Sequence, residues 1–206
     1  MSNAYSEAAA RPPVKTRPVK TRPVKTRPVK TRYDGVMLFL HWSVALLILV
    51  AFAIAQGRGL VPRGPERTVL MDVHRSLGVL VLALVALRMV WRAVSPPPPM
   101  PADTAPLLML AAKAGHLALY ALMIAVPLAG VTMTQAHGHP VTFFGLFTLP
   151  TLVGENHDFG DILEKLHELL GTAIIVLAGL HAVAALVHQY VLKDGTLSRM
   201  LPWGNR

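Results

Sequence analysis

Apolar residues run along this chain in four long blocks, parted by short segments rich in charge, Gly and Pro. The first, residues 35–57, holds no Asp, Glu, Lys or Arg. As a helix it rises about 34 Å, enough to cross a hydrocarbon core of about 30 Å. Gly, Pro and Arg between Arg58 and Arg67 end it. A second block, 73–94, carries Arg75 at one end and Arg88 and Arg92 at the other, where long side chains can snorkel to the interface. The consecutive prolines Pro96 to Pro99 make a stiff surface connection. Residues 107–134 form the third predicted span, kinked at Pro127, which membrane helices tolerate. A loop over about 135–161, holding Gly, Pro, His and acids, leads to the fourth span, 163–192. The pattern predicts an all-α, integral membrane four-helix bundle over residues 35–200.

Composition agrees. Of 206 residues 53% are hydrophobic and only 15% charged, with a mean hydropathy of +0.47, too apolar for an ordinary soluble domain. The net charge of +9 changes the picture only at one end. Residues 1–32 hold nine of the 20 Lys/Arg and one of the 11 acids, so the body is nearly neutral. Within that stretch Arg-Pro-Val-Lys-Thr repeats three times unchanged from Arg17 to Thr31. A proline in every five residues forbids helix and inner strand, so residues 1–34 read as a disordered or polyproline-like tail. The tail lacks the apolar stretch of a signal peptide. Basic charge confined to such a tail beside a hydrophobic body fits an orientation signal or an anionic membrane lipid, and no nucleic-acid partner is expected. Four spans put both termini on one side. With that side cytoplasmic, 15 of the 20 Lys/Arg lie inside, as the positive-inside rule prefers, although without the tail the bias is only six against five.

The chain has no cysteine, which excludes disulfides, iron–sulfur clusters and thiolate metal sites. It has nine histidines. Imidazole inside an apolar span is costly unless it has a partner or a task, so His41, His74, His116, His167, His181 and His188 each need a reason. A hydrogen bond to a neighbouring helix would suffice for any one of them. Their arrangement says more. His167 and His181 stand 14 residues apart on the fourth span, about 21 Å along the axis and only about 40° from a common face. The topology brings His41 of the first span to the level of His181, on the cytoplasmic side. It brings His74 of the second span to the level of His167, on the outer side. Two facing pairs at two depths are what two stacked, six-coordinate haems require, with no open iron position for oxygen chemistry.

Several local runs sharpen this: His41-Trp42, His74-Arg75-Ser76-Leu77-Gly78, Gly115-His116-Leu117, His167-Glu168, Gly179-Leu180-His181 and Ala184-Ala185-Leu186-Val187-His188. In these, and over about residues 33–203, the chain resembles the bacterial cytochrome b561 family. The resemblance implies two haem b groups per chain, the inner one on His41 and His181 and the outer one on His74 and His167. It implies a superoxide:ubiquinone oxidoreductase in the bacterial inner membrane, and needs no protein partner. It also favours His188, two turns beyond His181, as a quinone-binding residue. The repeat tail departs from the family pattern.

Other residues have both functional and ordinary readings. Arg58, Arg63, Arg67 and Arg75, on the outer side, could steer superoxide or pair with haem propionates, or simply be interfacial arginines. His116 could touch quinone or a propionate. His137, His139 and His157 lie in the outer loop, where solvated histidine is the default and a zinc site has no support. Gly57, Gly78, Gly115, Gly130, Gly171 and Gly179 could admit close approach of helices or macrocycles, or serve packing alone. Two rival functions stay open: a haem-bearing subunit that docks a hydrogenase or formate dehydrogenase, and a haem-free transporter using histidines as proton relays.

Overall fold

The computed structural model describes residues 32–99 and 105–201. The repeat tail, up to residue 31, lies outside the described residues, as do 100–104 and 202–206. Four helices make up the fold: α1 Gly35–Gly57, α2 Pro65–Val94, α3 Pro106–Ala136 and α4 His157–Tyr190. Each is long and apolar enough to span a membrane. The first matches its predicted bounds. α2 and α4 begin earlier than the hydropathy blocks did, because their first turns are polar and capped. Pro65 occupies the first turn of α2 with Glu66 beside it, and Asn156 caps α4 by accepting from the Phe159 N–H at 3.0 Å. α3 runs on through Pro127, which is buried.

The interior is small. Val44, Val81, Val85, Met123 and Ile174 form one apolar cluster to which every helix contributes. Outward, large apolar side chains stand bare, among them Phe39, Leu46, Val90, Leu117, Leu169 and Val183. In water such a surface would aggregate, whereas in lipid it is the expected exterior.

The helices pack in chain order, α1 on α2, α2 on α3 and α3 on α4. Their ends are tied differently. At the end where the chain begins and finishes, Asp34 caps α1 and accepts from Trp91 Nε1 at 2.9 Å and Ser95 Oγ at 2.7 Å. Arg32 donates to the Leu201 carbonyl at 2.7 Å and Trp42 to that of Met200 at 2.9 Å. The opposite end carries a small hairpin inside the α3–α4 loop, absent from the sequence reading. Its strands, β1 Thr142–Phe143 and β2 Phe147–Thr148, pair antiparallel. Phe144 and Gly145 turn it with φ of 48° and 72°, the left-handed pair that tight hairpins need. Ser76 of α2 holds it down, accepting from the Phe144 N–H at 2.9 Å and lying 3.2 Å from the Thr142 carbonyl. Gln135 anchors the rest of the loop through the Pro150 carbonyl and the Leu152 N–H.

Candidate functional site

α4 carries one member of each histidine pair, with Ile174 of the apolar cluster midway between them. At the hairpin end the rings of His74 and His167 have centres 6.1 Å apart and stand nearly perpendicular, at 87°. Each is fixed from behind. The His74 Nδ1 donates to the Ala51 carbonyl and the His167 Nδ1 to the Val126 carbonyl, both at 2.9 Å. A carbonyl only accepts, so each Nδ1 carries a proton, and in the neutral ring that leaves the lone pair on Nε2. That is the state of a metal-ligating imidazole, and the bond to a backbone oxygen is the usual device that orients one. His167 gets this close to α3 because Gly130 has no side chain. A Cβ there would lie 3.0 Å from the His167 Cε1.

At the terminal end His41 and His181 have ring centres 6.4 Å apart at 70°. His116 of α3 stands 5.3 Å from His181. Two imidazoles on opposite sides of one metal ion, with metal–nitrogen bonds of about 2 Å, have centres about 6 Å apart. Both expected pairs meet that spacing, and the His116–His181 contact is shorter than it. Both pairs also reach between helices that lie outside the chain of close packing, α1 to α4 and α2 to α4. Beside the hairpin-end pair a cavity of about 470 Å³ opens, lined by Ala51, His74, Gly78, Met123, His167 and Gly171 among others. Its size and apolar walls suit a flat organic cofactor. Three buried polar atoms have no partner among the described residues: His41 Nδ1, Arg88 Nε and Tyr120 OH. The residues present therefore fit a haem group at each pair.

The four arginines divide. Arg58 is paired with Glu168 at 2.9 Å and Arg75 with Asp72 at 2.6 Å. Arg58 and Arg67 line the cavity together with Glu164 and Glu168, while Arg63 is exposed and not among its lining residues. His188 sits at the terminal end, its Nδ1 bonded to Asp194 Oδ2 at 2.5 Å, with no hydrogen bond to Nε2 among the described residues. Burial pushes the Asp194 carboxyl up, but hydrogen bonds from Thr196 and His188 outweigh this and hold it below the usual carboxylate range. Of the loop histidines, His137 and His157 have ring centres 5.8 Å apart, and His137 also groups with Asp161 and Glu164. His139 is exposed, His157 lies 3.1 Å from Glu155, and His137 lies 3.0 Å from Asp161, tying the end of α3 to the start of α4. Of the six glycines singled out, only Gly130 and Gly78 would bring a Cβ within 4 Å of a neighbour.

Sequence reasoning missed Ser76 as the hairpin's anchor, Asp194 as the partner of His188, and the Arg88–Tyr120 contact. The repeated proximity of Ser76 to His74 in one short run was the only signal available for the first.

A family model described as prokaryotic cytochrome b561 matches residues 32–203. A probable superoxide oxidase CybB of Yersinia pestis is 36% identical over 171 residues, covering 83% of this chain and 96% of that protein. Cytochrome b561 homolog 2 of Escherichia coli (strain K12) is 34% identical over 178 residues, covering 82% and 91%. Cytochrome b561 homolog 1 of the same organism is 30% identical, covering 83% and 97%.

Proposed function

Because the chain belongs to the prokaryotic cytochrome b561 family, and so is a multi-pass membrane electron-transfer cytochrome, we propose that it is a di-haem superoxide:ubiquinone oxidoreductase of the bacterial inner membrane. Two superoxide anions each give up one electron and leave as dioxygen, and one ubiquinone takes two electrons and two protons to become ubiquinol. The reading rests on the two imidazole pairs, with ring centres 6.1 and 6.4 Å apart at two levels of one bundle. The relative named as a probable superoxide oxidase supports the choice of donor.

Bound between each pair, haem b would supply reversible one-electron chemistry. The residues do the rest. His74 and His167 would hold the haem facing the periplasm, and His41 and His181 the one facing the cytoplasm, where the basic tail favours placing both termini. The Val126 and Ala51 carbonyls hold a proton on Nδ1 of each periplasmic imidazole and aim the ring. Arg67 and Arg58 line the cavity, where their charge would draw in a small anion. His188, its Nδ1–H held by Asp194, can when doubly protonated donate its Nε2–H to a quinone carbonyl and hand that proton over at the cytoplasmic interface.

Stopped-flow mixing of the purified protein with superoxide tests this. Fast reduction of two b-type haems per chain is expected, followed by reoxidation when ubiquinone is present. Slow reduction, together with a copurifying soluble dehydrogenase or hydrogenase, would assign the chain as a partner's electron-transfer subunit instead. A colourless protein from haem-sufficient cells would leave the transporter reading.

A further inference from the structure

Arginine 88 does not behave as the interfacial residue its place near the end of α2 suggested. It is half-buried, its Nε has no partner, and its guanidinium carbon lies 5.4 Å from the centre of the Tyr120 ring. The Tyr120 hydroxyl is buried and unpartnered as well. Among the described residues the arginine ion pairs are Arg58–Glu168 and Arg75–Asp72, so Arg88 has no carboxylate. His41, His116 and His181 all lie within electrostatic reach of it.

A guanidinium inside a membrane bundle is costly without a counter-charge, and a contact to a ring face offsets only part of that cost. Two buried donors without a partner, the Arg88 Nε–H and the Tyr120 O–H, belong to side chains in contact with each other, and each calls for an oxygen acceptor. The permanent charge of Arg88 calls for that acceptor to be an anion. A quinone carbonyl is an acceptor without charge, while a porphyrin carboxylate is both. We propose that Arg88 and Tyr120 form a carboxylate site that binds a propionate of the haem on His41 and His181. The inference builds on the di-haem reading and makes two α2 and α3 residues positioning groups for that cofactor. Arginine suits the task better than lysine, because its fork meets a carboxylate with two parallel N–H bonds.

The test compares the wild-type holoprotein with Tyr120→Phe, Arg88→Lys and Arg88→Gln. Resonance Raman follows the propionate-bending bands, and a redox titration separates the two haem midpoints. Tyr120→Phe removes one hydroxyl and is expected to move the propionate band of one haem only. Arg88→Gln is expected to lower the midpoint of that same haem, since the extra electron of the ferrous state loses a nearby positive charge, and Arg88→Lys should restore most of it. If Arg88→Gln yields no haem-loaded protein, Tyr120→Phe and Arg88→Lys decide alone. Propionate bands unchanged in both of those variants would overturn the proposal, as would a raised KM for quinone with every haem signal intact. A wild-type protein without haem would instead defeat the underlying functional reading, so the two failures are distinct.

Discussion

Glycine 130 sets how closely α3 can approach His167, and so where the imidazole points. A methyl group there would meet the ring at 3.0 Å on Cε1 and 3.2 Å on Nδ1, with the Val126 carbonyl bond holding the ring from retreat. Gly130→Ala is therefore expected to cost about 1–3 kcal/mol of stability and to deplete one haem of two. Pigment content and thermal unfolding of the purified protein measure both. Gly57→Ala, with open space around its Cβ, serves as a control and should change neither. Asp194 gives a second residue-scale expectation. Its folded carboxyl titrates below the ordinary value of 3.8. The stability it adds is thus fully present above that value and is lost as the pH falls through the lower, folded one. Asp194→Asn should flatten the acid side of the melting-temperature profile, and an unchanged profile would show that the bond to His188 adds nothing. Both histidine pairs were legible in the sequence, because 14 residues of helix fix depth and face together. The roles of Gly130 and Asp194 were not. The first depends on how near α3 lies to α4, and the second on Lys193 and Gly195, whose φ of 54° and 72° bring the chain back to His188.

Element boundaries show the same division between pattern and packing. The apolar blocks located every span, because lipid demands long uncharged runs. They placed the starts of α2 and α4 too late, since Glu66, Arg67, Asp158 and Asp161 are helical without being apolar. Caps were the better signal there: Pro65 with Glu66, and Asn156 two residues before Asp158. The hairpin was invisible, its strands being two residues each and its support remote in sequence. That support is Ser76, one of the few buried polar side chains, at 1% exposure. Ser76→Ala would strand the Phe144 N–H, a cost of about 1–3 kcal/mol, while the hydroxyl proton it removes is directed at the nearer Asp72 carbonyl, 2.8 Å away. Hydrogen exchange should report it as faster amide exchange confined to residues 141–149, with the spans unaffected. Uniform loosening of the bundle would mean that Ser76 serves the helix and not the hairpin.

At the scale of the whole molecule, charge is unevenly balanced between the two ends. The hairpin end holds a cavity whose lining mixes Arg58 and Arg67 with Glu164 and Glu168. Arg58 spends its charge on Glu168. Arg67, with no ion-pair partner among the described residues, is the cation left to attract an anion there. On the proposed reading, the second-order rate with superoxide is then set by a small net field, which exposes it to salt and to single substitutions. Arg67→Gln should slow haem reduction about two- to tenfold at low ionic strength. Glu168→Gln should do the reverse, because it removes a negative charge and releases Arg58 in one change. Raising the salt to about 1 M, where the screening length falls to about 3 Å, should bring all three proteins toward a common rate. If the variants keep their differences in high salt, the residues act by contact within the site, and long-range steering plays no part.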